Sequence, residues 1–157
     1  MTHTFSIRPA TAADLAAMLA MFPRLADFDL PPRRKPEDLW RGDSELLTRW
    51  AGGQAPQCLV QVAVDPHDTI LGVALTQLRE ELLSHDPSAH LEVLVVDSRA
   101  EGIGIGAALV AAAEAAARER GALSVTLHVF ATNGRARRVY ERLGYTGELI
   151  RYIKHLV

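Results

Sequence analysis

The chain has 157 residues, 48% hydrophobic and 23% charged, with a formal net charge of −2 and a pI near 6.3. That length and balance suit one α/β domain, 1–157, with a sizeable core. They leave a nucleic-acid partner no basic field to bind; no run is long and apolar enough to span a membrane, and one cysteine, Cys58, excludes an internal disulfide.

The opening residues lack the basic start and apolar core of a secretory leader, so a cytoplasmic protein is expected. Residues 5–8 alternate and predict a short strand. Thr11 and Asp14 then have the spacing of a helix cap, a short-armed relative of the capping box. Leu15, Met18, Leu19, Phe22 and Leu25 recur at helical spacing, predicting a helix to about residue 26. A proline- and arginine-rich loop over 31–36 precedes a second helix, about 36–50, closed by Gly52 and Gly53. The period then becomes two. Strands are predicted over 58–64 and 70–78, joined by a turn at Asp65-Pro66-His67-Asp68. Cys58 opens the first of them and reads as a buried, inert thiol. A polar loop over 79–89 leads to a strand at 91–96. A helix over 107–120, a strand over 123–130, a helix over 135–143 and a last strand over 148–156 complete a mixed α/β order.

Between the strand at 91–96 and the alanine-rich helix lies Gly102-Ile103-Gly104-Ile105-Gly106-Ala107. Glycines there free the backbone to turn tightly and to approach a ligand. A helix starting there presents unpaired N–H groups and the positive end of its dipole, which together suit a phosphate.

A second segment runs Asn133-Gly134-Arg135-Ala136-Arg137-Arg138-Val139-Tyr140-Glu141-Arg142-Leu143-Gly144-Tyr145. Together with Val96-Asp97 and the glycine turn, it resembles the GNAT superfamily of acetyl-CoA-dependent N-acetyltransferases. Ile7-Arg8-Pro9-Ala10-Thr11 followed by Asp14 is also a common opening in that family. The resemblance implies one GNAT-like domain whose central mixed, twisted sheet is flanked by helices. The family's turn usually opens with Arg or Gln. Two registers fit here: Arg99 with Gly102 and Gly104, or Glu101 with Gly104 and Gly106. The second keeps Val96-Asp97 at its usual distance, and it puts Glu101 where a cation or amide is customary. A carboxylate beside pyrophosphate is repelled unless turned away, so Glu101 is expected to face solvent or to pair with an arginine.

The resemblance implies transfer of acetyl from the coenzyme A thioester to an amine, with no metal. The backbone of Leu94, Val95 and Val96 would pair with the pantetheine arm and offer an N–H to the thioester carbonyl. Residues Gly102, Ile103, Gly104, Ile105, Gly106 and Ala107 would hold the pyrophosphate. Asn133 would orient the coenzyme or cap the helix behind it, and Ala136 is small where pantetheine would pass. Tyr140 matches the family's acid for the leaving thiolate; on pattern alone it reads as a core aromatic. Glu92 and His128 are alternative bases, and a water chain with no dedicated base is a third option. Histidine has the more suitable unperturbed pKa, about 6.5. His85 and His90 read as loop or edge residues, and no His, Cys, Asp and Glu grouping has metal-ligand spacing.

The resemblance implies a small-molecule, peptide or protein amine as acceptor. Asp27, Phe28, Asp29, Glu80, Glu81 and Asp86 fall in stretches that would rim its site, where acids suit a cationic amine. Little chain follows Tyr145 to cover an acceptor, so a homodimer completing the site is one expectation. A rival reading of the same fold is a non-catalytic acyl-CoA sensor. A dinucleotide-binding unit is more remote: Gly102-x-Gly104-x-x-Ala107 satisfies only the loose fingerprint, and no acid ends the next strand to bind a ribose.

Overall fold

The computed structural model describes residues 4–157. The reading of the opening residues against a leader rests partly on residues 1–3, which lie outside that range. Among the described residues, five strands form one sheet in the order β1-β2-β3-β4-β5: β1 Ser6–Pro9, β2 Cys58–Val64, β3 Ile70–Glu80, β4 Pro87–Val96 and β5 Val125–Leu127. The first four pair antiparallel, and β5 joins β4 in parallel. Parallel neighbours need a crossover, supplied by helix α3, Ile105–Glu119.

Helices α1, Leu15–Met21, and α2, Arg41–Ala51, cover one face. Met18, Phe22, Leu46 and Leu47 pack there on Val60, Val62, Val73, Leu75, Val93 and Val95. Ile105, Leu109, Val110 and Ala113 of α3 pack on Ala63, Ala74 and Leu91 on the other face. The contact at Gly72 of β3 is tight: a Cβ there would lie 2.9 Å from Leu109 Cδ1 and 3.1 Å from the Val95 carbonyl oxygen. Only glycine lets the helix sit this close. The fourth helix, α4, Gly134–Arg142, adds Tyr140 to the α3 side.

Several elements depart from their sequence-based bounds. The first helix becomes a 3-10 turn at Phe22–Ala26, because Pro23 supplies no N–H. The second opens as a 3-10 turn at Pro36–Leu39 before α2 begins. The predicted loop over 79–89 shrinks to residues 81–86, since β3 reaches Glu80 and β4 starts at Pro87. Residues 148–156 form no strand, and Leu149, Ile150, Tyr152 and Leu156 are exposed. A strand needs a neighbour to take its backbone hydrogen bonds, and β5 is only three residues long. At the other end, Asp14 accepts the Thr11 N–H at 2.8 Å, as the cap spacing predicts. Arg8 clamps that carboxylate at 2.8 and 3.0 Å and reaches Asp68 in the β2–β3 turn.

Candidate active site

The glycine turn ends in Gly104, the N-cap of α3, at φ 90°, and Gly102 lies at φ 81°. A Cβ at either would meet no atom within 4 Å, so the turn is open where a ligand would approach. The first helical bond runs from the Ala108 N–H to the Gly104 carbonyl. The N–H groups of Ile105, Gly106 and Ala107 therefore precede the helical ladder and face outward with the dipole. Ile105 is anchored in the core and Ile103 packs against it. A Cβ on Gly106 would stand 3.9 Å from Val96 Cγ2, so the helix start abuts the end of β4. Open space and convergent donors fit a pyrophosphate.

Arg99 and Glu101 are used differently. Arg99 folds back onto Asp97, with Nε 3.0 Å from Oδ1. Glu101 carries two ion pairs, with Arg24 at 2.7 Å and Arg135 at 3.4 Å.

Beyond the turn, β4 and β5 part. Their ladder ends at Leu91 opposite Leu127, while β4 continues to Val96. The Asp97 N–H bonds the Leu71 carbonyl at 2.8 Å. Alternation along an antiparallel strand then turns the N–H and C=O of Val95 toward β3 and those of Leu94 and Val96 toward the gap. The Val96 carbonyl is taken by Arg24 Nε at 2.9 Å. The gap thus has a hydrogen-bonding edge, ready to receive an extended chain as an added strand.

Two sets of side chains flank this edge. On the α3 side lies Tyr140, packed with Leu94 and Val96 around that core and edge-on to Tyr145 at 5.9 Å. Burial pushes its pKa up to about 12, so it holds its proton at neutral pH. Asn133 caps α4, its Oδ1 accepting the Ala136 N–H at 3.3 Å. Ala136 is half-buried in the first turn.

On the α1–α2 side lies Glu92. In the β3–β4 register Leu75 faces Val93 and Thr76 faces Leu91, which leaves Glu92 as the extra residue of a β-bulge. A bulge re-aims a side chain. Here it brings Glu92 near Arg79, at 3.7 Å, and within electrostatic reach of Asp43 and Cys58. Burial raises the Glu92 pKa, against the opposing pull of Arg79 and His128. Asp43, in the first turn of α2, is pushed up to about 7, first by burial and then by Glu92. Sequence reasoning did not find Asp43. Its helix period marks it only as a flank of the apolar stripe.

The rim acids Asp27, Glu80 and Glu81 are engaged locally. Asp27 pairs with Arg24, Glu80 with His85, and Glu81 accepts the N–H groups of Leu83 and Ser84. His90 is buried in β4 and meets Thr126 Oγ1 at 2.7 Å, a core position rather than an edge. His128 lies one residue past β5, exposed. The residues before α4 are tied to the loop after the Phe22–Ala26 turn, through Phe28 on Phe130 at 5.4 Å and the Thr132 hydroxyl on the Asp29 carbonyl at 2.9 Å.

A separate open depression of about 430 Å³ is lined by Asp65, Thr69, Arg99 and Ile103. None of Tyr140, Glu92 or His128 lines it. Among the described residues, no group of three or more His, Cys, Asp or Glu side chains is placed to hold a metal ion. Nor is any helix long and apolar enough to cross a membrane.

Comparison with known proteins identifies the family and the fold. The model of the acetyltransferase (GNAT) family matches residues 20–145, and the chain belongs to that family. A mycothiol acetyltransferase of Saccharopolyspora erythraea is 36% identical over 84 residues, 54% of this chain and 26% of that protein. The chain thus spans about a quarter of the length of that curated relative. A Pyrococcus furiosus protein described by its solved structure only as a candidate acetyl transferase superposes with a TM-score of 0.79 at 22% identity, covering 98% of this chain and 100% of that one. Glucosamine-6-phosphate N-acetyltransferase of Arabidopsis thaliana superposes at 0.68 with 19% identity, covering 98% and 99%. At such identities the structural likeness concerns the fold.

Proposed function

We propose that the chain transfers an acetyl group from acetyl-coenzyme A directly to a primary amine. The observation that carries this reading is the gap after Leu91, edged by Leu94 and Val96, with Tyr140 on one side and Glu92 on the other. A base on one face and an acid on the opposite face of one strand suit an acyl transfer across it.

The coenzyme supplies an activated acyl carbon and a thiolate leaving group. Residues 102–107 hold its pyrophosphate on backbone N–H groups. Leu94 and Val96 align its arm along β4, and an N–H of that edge faces the thioester carbonyl. One such donor is worth roughly 100- to 1000-fold in rate. Glu92, its affinity for protons raised by burial, takes the proton from the acceptor ammonium. The neutral amine nitrogen bonds to the acyl carbon as the carbon–sulfur bond breaks. Tyr140 gives its proton to the departing sulfur and regains one from the second proton that the acceptor nitrogen sheds in becoming an amide. Direct transfer requires no covalent intermediate on the protein, and the buried thiol of Cys58 has no role in it.

The acceptor we infer is a cationic amine. Asp43 and Glu92 share the half-buried α1–α2 side of the gap, and an ammonium there relieves the charge that each carboxylate places on the other. The name of the sequence relatives puts a mycothiol-type acceptor on the panel to be tried.

Calorimetric titration with acetyl-coenzyme A, with NAD(H) as control, followed by thiol release across a panel of amines tests the reading. Micromolar binding with turnover on an amine supports it. Binding without turnover on any amine favours a sensor, and no binding removes the coenzyme altogether.

A further inference from the structure

We propose that Arg24 is the cation of the pyrophosphate subsite, held there by Glu101. The inference rests on the coenzyme reading above. A diphosphate at the start of α3 would lie beside the Glu101 carboxylate, and like charges in close approach repel at the dielectric of a protein surface. Two guanidiniums meet that carboxylate. Arg24 comes from the 3-10 turn Phe22–Ala26, and Arg135 from the first turn of α4. Each takes a different oxygen, Oε1 at 2.7 Å and Oε2 at 3.4 Å.

Arg24 is the better fixed of the two. Its Nε bonds the Val96 carbonyl at 2.9 Å, its Nη2 bonds Glu101, and its Nη1 reaches Asp27 at 3.3 Å. Two long-range contacts and one to the cap of its own turn immobilise the planar group. A guanidinium carries five N–H donors, so two remain for phosphate oxygens. The bond to Val96 sets Arg24 at the end of β4, which abuts the helix start through Gly106. Arg24 is thus placed where the arm along β4 gives way to the pyrophosphate on the turn. Its side chain is 30% exposed against 74% for Arg135, so its charge is the less screened. Glu101 is a positioning residue: it orients Arg24 and leaves the phosphate contact to the guanidinium.

The test compares three probes on the full chain: coenzyme A, 3′-dephospho-coenzyme A and pantetheine, the first two by calorimetry and the third by ligand-observed NMR. Arg24→Met is expected to weaken both phosphate-bearing ligands alike, about tenfold or more, and to leave pantetheine unchanged. Adding Glu101→Arg to that variant returns a cation to the turn and is expected to recover affinity to within about threefold of wild type. Equal weakening of all three probes, or no rescue, overturns the proposal and makes Arg24 a fastener of its turn to β4. Loss confined to coenzyme A overturns the assignment to pyrophosphate in favour of the 3′-phosphate. Arg24→Lys keeps the charge and covers failure of the Met variant to fold. It is expected to lose about threefold on the phosphate-bearing probes alone, and a matching loss on pantetheine overturns the proposal. Failure of wild type to bind coenzyme A at all would instead remove the coenzyme reading, so the two failures are separable.

Discussion

The His90 imidazole stands edge-on to that of His128, ring centroids 4.6 Å apart, where the β4–β5 ladder gives way to the gap. Burial, aided by Arg79 and His128, lowers the His90 pKa to about 4. The folded state therefore binds fewer protons than the unfolded chain between pH 4 and 6.5, and stability rises with pH across that window. The contribution is full above 6.5 and is lost as pH falls through 4. Melting temperatures of wild type and His90→Gln from pH 4 to 7 check this. The variant should show a shallower slope.

Tyr140→Phe removes one hydroxyl from a packed helix position. Turnover should fall by ~100- to 10,000-fold, the range of a lost general acid, with coenzyme A affinity within twofold. Because Tyr140 is pushed up to about 12, wild-type activity should show no alkaline decline from this group below about pH 10. Stopped thiol-release assays across pH check both points.

Glu92 and His128 are separated by their variants. With Glu92 as base, Glu92→Gln lowers kcat/KM by ~100-fold or more and abolishes the acidic limb of the pH profile. His128→Ala then shifts that limb upward, because His128 favours the Glu92 carboxylate, and retains most of the rate. The reverse pattern would make His128 the base.

Asp43 binds its proton more tightly folded than unfolded, near 7 against an ordinary 3.8. Its contribution to stability is therefore present below pH 3.8 and is lost as pH rises through 7. Asp43→Asn should gain on wild type in melting temperature from pH 5 to 8. It should also raise KM for a cationic acceptor while leaving coenzyme A binding unchanged.

Two glycine substitutions should fail for different reasons. Gly72→Ala forces a Cβ to 2.9 Å from Leu109 Cδ1 and 3.1 Å from a backbone carbonyl, an overpacking cost of ~1–3 kcal/mol. Gly104→Ala meets no atom but must hold φ near 90°, a strain of ~1–3 kcal/mol. Only the second should also weaken coenzyme A binding. Denaturant melts with ligand titration separate them.

Much of this molecule was legible along the chain because local pattern and local structure share one range. The glycine turn, the cap at Asn133, the Asp14 contact to Thr11 and the placement of Tyr140 on an amphipathic helix all depend on residues a few positions apart. Helical and strand periods marked the elements that build both cores, so the α/β class followed. The last predicted strand failed for the converse reason. Residues 148–156 have strand composition, but a strand exists only with a partner edge, and β5 offers three residues.

What tertiary structure alone decided is long-range. Arg24 reaches Glu101 across 77 positions, and no local pattern marks such a partner. Asp43 acquires its shifted proton affinity only when α2 lays it beside Glu92. The bulge that re-aims Glu92 is set by the register of β3 on β4, and the gap is set by where β5 stops. Charge, pairing and exposure are properties of neighbours in space. Motif and periodicity mark the residues that build the turn and the helices. Only folding decided which of them meet, because desolvation and ion pairing act across distances that the chain order does not record.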